Sequence, residues 1–319
     1  NFNFRMINYY INSTEDYHKN ELNSLGWELT VCNALDPIDS PCRRLIASQT
    51  SFGENLYRFL EEIIPVDTIR TILEIGGGMG YLMRDFLKFN PRLKATMIDI
   101  SPYLLGCQKD LLHSFEVDFL LADILTVPPT TLSSFDMAVM NENLGDLPTL
   151  VTGSKDDTYH GPAAGVIEKI EAFNKKYNLH LGANQNEPVN IGALEMVEKL
   201  CLAGIKYIYL SEHSCEAAVP EKMKNYLFFQ TPGIPEMISL KGHREFTIKF
   251  SYLQKIAEML NYTSRRGPFA DFLPLDFNDR VKTALRMLTP QSDNQEIIRQ
   301  FVYDLFKYEY LILIRGDHK

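Results

Sequence analysis

A strand that runs into a cluster of glycines and out again into a helix constrains this chain more than any other stretch in it. Residues 71–87, TILEIGGGMGYLMRDFL, supply the apolar run (Ile72, Leu73, Ile75), the turn (Gly76, Gly77, Gly78, Gly80) and the helix. A nearly continuous apolar run suits a parallel strand buried on both faces. Glycine lets backbone approach a ligand closely, and the N-terminus of the following helix offers unpaired N–H groups. The stretch reads as a nucleotide-binding turn. A dinucleotide turn needs G-x-G-x-x-G, and counted from Gly76 and Gly78 the third position is Tyr81, so that spacing is absent.

The next glycine is Gly80, which gives G-x-G-x-G. That spacing resembles the loop of S-adenosylmethionine (SAM) methyltransferases. Glu74, just before the turn, fits the same reading, because an acid there can accept from the amino group of the cofactor's methionine part. The competing reading is a glycine-rich turn without a ligand. The residues that follow weigh against it. An apolar strand at 95–100 ends in Asp99 and Ile100, with the acid roughly twenty residues past the loop, where a ribose-binding carboxylate belongs. A solvated strand-end acid is the plainer alternative. A third strand at 116–121 leads to Ala122 and Asp123, the latter placed for the adenine amino group. A fourth strand at 135–140 ends in Asn141-Glu142-Asn143-Leu144-Gly145-Asp146. Ligands in open α/β sheets bind beyond the carboxyl ends of strands, so a methyl acceptor belongs here. Asn141 and Glu142 are the leading catalytic candidates, and Asn141 also counts among the cofactor contacts with Glu74, Gly76, Gly78, Gly80, Asp99, Ile100 and Asp123.

The rest of the chain extends the alternation. Residues 1–50 form an arm with helical patches at 6–17 and prolines at 37 and 41, and no chemistry of its own is legible. Ser51 to Glu54 is a capping box, and Leu56, Phe59, Leu60, Ile63 and Ile64 mark one face of a helix that Pro65 ends. An insert at about 151–189 carries a helix at 163–177, and its length suits a lid or binding loop. Helix 193–202, strand 205–210, a sixth strand candidate at 246–250, helices at 251–260, 281–288 and 297–306 and a last strand at 310–315 complete the pattern. The expected fold is α/β, a doubly wound, mostly parallel Rossmann-like sheet, with residues 51–319 as one domain behind the arm.

Net charge of −9 disfavours nucleic acid as a main partner. The five cysteines form no C-x-x-C pair and no metal-ligand spacing, so reduced thiols and no metal are expected. No apolar run has the length of a membrane span and no basic-then-apolar leader opens the chain, so a cytoplasmic protein is expected, although Asn1 in place of Met fits a processed or partial sequence.

Four segments together resemble a narrower group, the MidA-like methyltransferases, which include a mitochondrial arginine methyltransferase assisting assembly of respiratory complex I. They are ASQTSFGE at 47–54, EIGGGMGYLMRDFL at 74–87, IDISPYLLGCQKDLL at 98–112, and Asn141-Glu142 with Leu147-Pro148. A fainter fifth is EFTIKF at 245–250. The resemblance implies SAM as cofactor, a seven-stranded sheet with its last strand antiparallel, and protein arginine as acceptor. The chain departs from the family at Gly77 and Met79, where the family has Pro and Arg. It departs again at Gly145, with Asp146 one residue late, and at Ser211-Glu212-His213 in place of an acidic ending. The loop changes spare the cofactor, whereas the others fall near the acceptor.

Methyl transfer is an in-line displacement at a sulfonium methyl, so the enzyme mainly positions the two reactants. For a cationic acceptor a paired carboxylate is needed on desolvation, a role for Glu142, with Asn141 orienting through its amide. His213 is a candidate general base; His160, His180 and His243 are weaker ones. A small-molecule N- or O-methyltransferase and a non-catalytic SAM-binding assembly factor remain the alternatives, and the oligomeric state is open.

Overall fold

The computed structural model describes residues 9–24, 30–152, 164–182, 187–287 and 292–316 of the 319. In chain order the elements are β1 (Tyr9–Asn12), α1 (Val31–Leu35), α2 (Phe52–Glu61), β2 (Thr71–Ile75), α3 (Tyr81–Phe89), β3 (Lys94–Asp99), α4 (Pro102–Leu112), β4 (Val117–Leu121), α5 (Pro129–Leu132), β5 (Met137–Asn141) and β6 (Thr149–Thr152). They continue with α6 (Ala164–Tyr177), α7 (Ile191–Leu202), β7 (Tyr207–His213), β8 (Met237–Ser239), β9 (Arg244–Phe246), α8 (Phe250–Met259), β10 (Tyr262–Pro268), α9 (Asp279–Arg286), α10 (Asp293–Lys307) and β11 (Tyr308–Arg315).

The central sheet has seven strands in the order β10-β11-β7-β5-β2-β3-β4. β4, β3, β2, β5 and β7 run parallel, and β11 is antiparallel to both its neighbours. The fold is a doubly wound α/β sheet with the last strand reversed, as the resemblance implies. The inner strands are buried along nearly their whole length, as TILEI, MAVMN and YIYLSEH require of strands covered on both faces. Successive residues serve opposite cores. Ile72, Val139, Tyr209 and Ile312 pack with α1, α2, α3, α9 and α10, whereas Leu73, Met140, Leu210 and Leu311 pack with α6, α7 and α8.

Local signals explain the helices around the turn. Ser51 caps α2 by accepting from the Glu54 N–H, and its hydroxyl donates to Asp85 of α3 at 2.6 Å. Ser101 caps α4 in the same way. Among the described residues no helix is long and apolar enough to cross a membrane.

Two expectations are corrected. The helical patch expected at 6–17 contains a strand over its described part, because β1 pairs antiparallel with β6, and only a short π-helical turn follows at Tyr17–Glu21. The sixth strand of the sheet is β10, not 246–250. Phe246 ends β9 of a small hairpin with β8, and Phe250 opens α8. Phe246 and Ile248 are apolar because that connection is buried. Parts of the insert, at 153–163 and 183–186, lie outside the described residues, as does His160.

Candidate functional site

The carboxyl ends of β2, β3, β4 and β5 gather most of the expected cofactor residues. Glu74 is only 2% exposed, and its Oε2 makes no hydrogen bond among the described residues. Burial, reinforced by Asp99, pushes its carboxyl up to about 8. A carboxyl so placed is short of a cation. The glycines hold the turn against it. A Cβ at Gly77 would fall 2.4 Å from Met97 Cε and 3.0 Å from Glu74 Cδ. Gly76 has φ +64°, and a Cβ there would lie 2.3 Å from Asn143 Nδ2. Asn143 is itself pinned, donating to the carbonyls of Ile75 at 2.5 Å and Gly76 at 3.2 Å. Gly80 lies at the N-cap of α3 in the left-handed region.

Asp99 is tied to the same turn. Its carboxylate accepts from the Ser101 N–H at 2.8 Å and from Gln108 Nε2 at 2.8 Å, and Gln108 also donates to the Gly78 carbonyl at 3.0 Å. Burial raises the Asp99 carboxyl, while these hydrogen bonds oppose the rise. Ile100 follows, half-buried. The Ala122 N–H donates to the Asp99 carbonyl at 3.0 Å, which brings Asp123 alongside. Asp123 accepts from the Leu125 N–H at 2.8 Å. One orphaned acceptor, a cradle that side chains would fill, and acids at two further strand ends fit a cofactor with an ammonium, a ribose and an amino-bearing base.

At the end of β5 the structure adds what the sequence did not disclose. Asn141 Nδ2 donates to Glu142 Oε1 at 3.0 Å, and the Ser211 hydroxyl donates to Asn141 Oδ1 at 2.9 Å. Glu142, at φ +55°, also accepts from the backbone N–H groups of Val31 at 2.7 Å and Cys32 at 3.0 Å. It is the anion on the first turn of α1, which fastens the arm to the site. Burial pushes its carboxyl up to about 7, and those N–H groups pull the other way. Glu212 is nearly buried and accepts from the Gly145 N–H at 3.0 Å, with a Cβ at Gly145 3.0 Å from the Phe246 carbonyl. That packing leaves no room for a larger side chain at Gly145.

The His213 backbone N–H donates to Glu212 Oε1 at 2.8 Å, but its ring makes no hydrogen bond to this group among the described residues. Its ring stacks on Tyr308 with centroids 3.7 Å apart, and Nε2 is 3.5 Å from Asp304 Oδ1, on the side of α10. His180 is exposed. Asp146, by contrast, meets His18 of the arm, Nε2 to Oδ1 at 3.0 Å, with His243 beside them. No spacing in the sequence joins residues 18, 146 and 243, so this group escapes sequence reasoning.

Residues 72–152 match a family model described as a methyltransferase domain. The chain carries a methyltransferase domain. The matched segment spans the turn, Asp99, Asp123, Asn141 and Glu142. A comparison with curated protein sequences finds no match. Among solved structures, a candidate methyl transferase from Burkholderia thailandensis bound to S-adenosyl-homocysteine is similar over 91% of this chain and 79% of its own, with a TM-score of 0.51 and 13% identity. A plantazolicin methyltransferase in complex with S-adenosyl-homocysteine covers 88% of both chains at 12% identity and a TM-score of 0.42. Magnesium protoporphyrin IX methyltransferase from Synechocystis PCC 6803, with bound SAM, aligns over 82% of this chain and 76% of its own at 11% identity and a TM-score of 0.38. At this identity the first likeness speaks to the fold.

Proposed function

We propose that the chain is a SAM-dependent methyltransferase whose cofactor lies across the carboxyl ends of β2, β3 and β5. The observation that carries this is the buried, unpartnered Glu74 oxygen beneath the glycine turn. Glu74 receives the cofactor's ammonium, Asp99 the ribose hydroxyls and Asp123 the adenine amino group, with Gly76, Gly78, Gly80, Ile100 and Asn141 shaping the cleft. SAM supplies an electrophilic methyl, and the protein's contribution is to align acceptor and donor and to exclude water. Residues 51–319 act as the catalytic domain, which includes the insert at about 151–189, and the arm is fastened to it through Val31 and Cys32.

The acceptor is a nitrogen group in this reading, with protein arginine as the acceptor implied by the MidA-like resemblance. Glu142 orients the acceptor and Asn141 steadies Glu142, as their hydrogen bond supports. One observation favours the rival of a small-molecule acceptor. Both Glu142 oxygens already serve the Val31 and Cys32 N–H groups, which leaves fewer lone pairs for a bidentate guanidinium. Such an enzyme would act in the cytoplasm. Incubation with labelled SAM and a lysate separates the readings. Label in protein, reduced about 10-fold in Glu142→Gln, supports protein methylation, label only in small molecules overturns it, and cofactor binding without any transfer points to an assembly factor.

A further inference from the structure

Four side chains from three distant segments converge beside the methyltransferase turn without belonging to it. His18 comes from the short turn after β1, Asp146 from the loop after β5, and His243 and Glu245 from the β8–β9 hairpin. His18 Nε2 lies 3.0 Å from Asp146 Oδ1, His243 Nε2 lies 3.9 Å from the same oxygen, and His243 Nε2 lies 2.7 Å from Glu245 Oε1. One ligand atom from each of His18, Asp146 and His243 falls within 4.8 Å of the others. First-row cations hold such atoms at about 2.0–2.2 Å, so ligands around one ion sit about 3–4 Å apart.

We propose that His18, Asp146 and His243, with Glu245 beside them, bind a divalent transition-metal ion of the zinc class. Two imidazoles and a carboxylate are the donor set that suits such an ion rather than Mg2+ or Ca2+. The donors are prepared for it independently of one another. The Thr14 hydroxyl donates to the Asp146 carbonyl at 3.1 Å, and Asn12 Nδ2 donates to the Arg244 carbonyl at 2.8 Å. The Tyr17 ring stacks on His243 with centroids 4.3 Å apart. Gly242, at φ +95°, makes that stack possible, since a Cβ there would come 2.6 Å from the Tyr17 ring. The four side chains are between 12% and 22% exposed, shielded from competing water yet open to an ion.

Two imidazoles and two carboxylates thus face one another in one partly buried group. The consequence is a clasp. An ion here ties the arm, the β5 loop and the β8–β9 hairpin together, close enough for the His18 charge to act on Asp99.

The test uses the full chain, stripped with chelator and titrated with Zn2+ alone, with uptake read by calorimetry and elemental analysis after gel filtration. A single saturable site is expected. His18→Gln and His243→Gln should each weaken it by about 100-fold or more, since even outer-shell changes cost 10–100-fold at metal sites. His113→Gln, at an exposed histidine outside the group, should leave it unchanged. Folded wild-type protein that takes up no Zn2+, or uptake indifferent to both cluster substitutions, overturns the proposal. Should either variant misfold by circular dichroism, the wild-type Co2+ spectrum decides. Intense visible bands of a low-coordinate nitrogen–oxygen site support the clasp, and the spectrum of hydrated Co2+ overturns it. None of these readouts involves SAM, so failure here leaves the cofactor reading standing.

Discussion

The proposed cofactor side and the proposed acceptor side of this molecule are built in opposite ways. Around Glu74 and the glycines, contacts run mainly between successive strand–helix units, as when Gln108 of α4 reaches Gly78 and Asp99, with Asn143 adding a long-range pin on Ile75 and Gly76. Around Asn141–Asp146, the contacts come from far away, from Val31, His18, Ser211 and Glu212. In the proposed reading the first region serves one donor molecule. The second is assembled by the arm and by β7.

Substitutions can break or sharpen that contrast. The largest effect is expected at Gly76→Ala. It forces a side chain into the left-handed region and against Asn143, and should weaken SAM binding by about 100-fold or more and lower the melting temperature. Calorimetry and thermal melts check it. Asp99→Asn should keep the Ser101 contact but lose a charge-assisted acceptor for the ribose. The expected loss is about 1.5–3 kcal/mol, roughly 10–100-fold in SAM affinity, with a fall in melting temperature because Gln108 Nε2 loses its carboxylate acceptor.

The sequence disclosed these two regions unequally for the same reason. β2, β3, β5 and the turn between β2 and α3 declare themselves through continuous apolar runs and glycine spacing, which are local properties. β10 does not, because Tyr262–Pro268 packs against only one neighbouring strand, β11, and carries Arg265, Arg266 and a proline. β1 does not either, since YYIN becomes a strand only by pairing with a segment 140 residues away, Tyr9 opposite Thr152 and Asn12 opposite Thr149. Asn141 and Glu142 were legible as strand-end polar residues. That Glu142 anchors α1 was not, because nothing near it in sequence names its partners.

Smaller effects probe the acceptor side. Glu142→Gln removes the charge facing α1, a loss of about 1 kcal/mol in capping. It should reduce turnover by about 10-fold while leaving SAM affinity unchanged, a split read from steady-state kinetics and calorimetry together. His213→Ala should be the mildest. A general base is worth about 100-fold or more, whereas a ring stacked on Tyr308 beside Asp304 should alter turnover by less than about threefold. A larger fall would move the acceptor toward α10.

The central claim is that Glu74 and the glycine turn hold SAM, and calorimetric titration with SAM in buffers of differing ionisation heat tests it most directly. The ligand-free Glu74 carboxyl titrates at about 8, so at pH 7 it is largely protonated, and a bound ammonium favours its ionised form. SAM binding should therefore release a proton at pH 7, strengthen as pH rises toward 8, and lose that proton release in Glu74→Gln. S-adenosyl-homocysteine should bind similarly and NAD should not bind. A folded chain that binds neither SAM nor S-adenosyl-homocysteine, or that binds SAM with the same proton release after Glu74→Gln, would contradict the account.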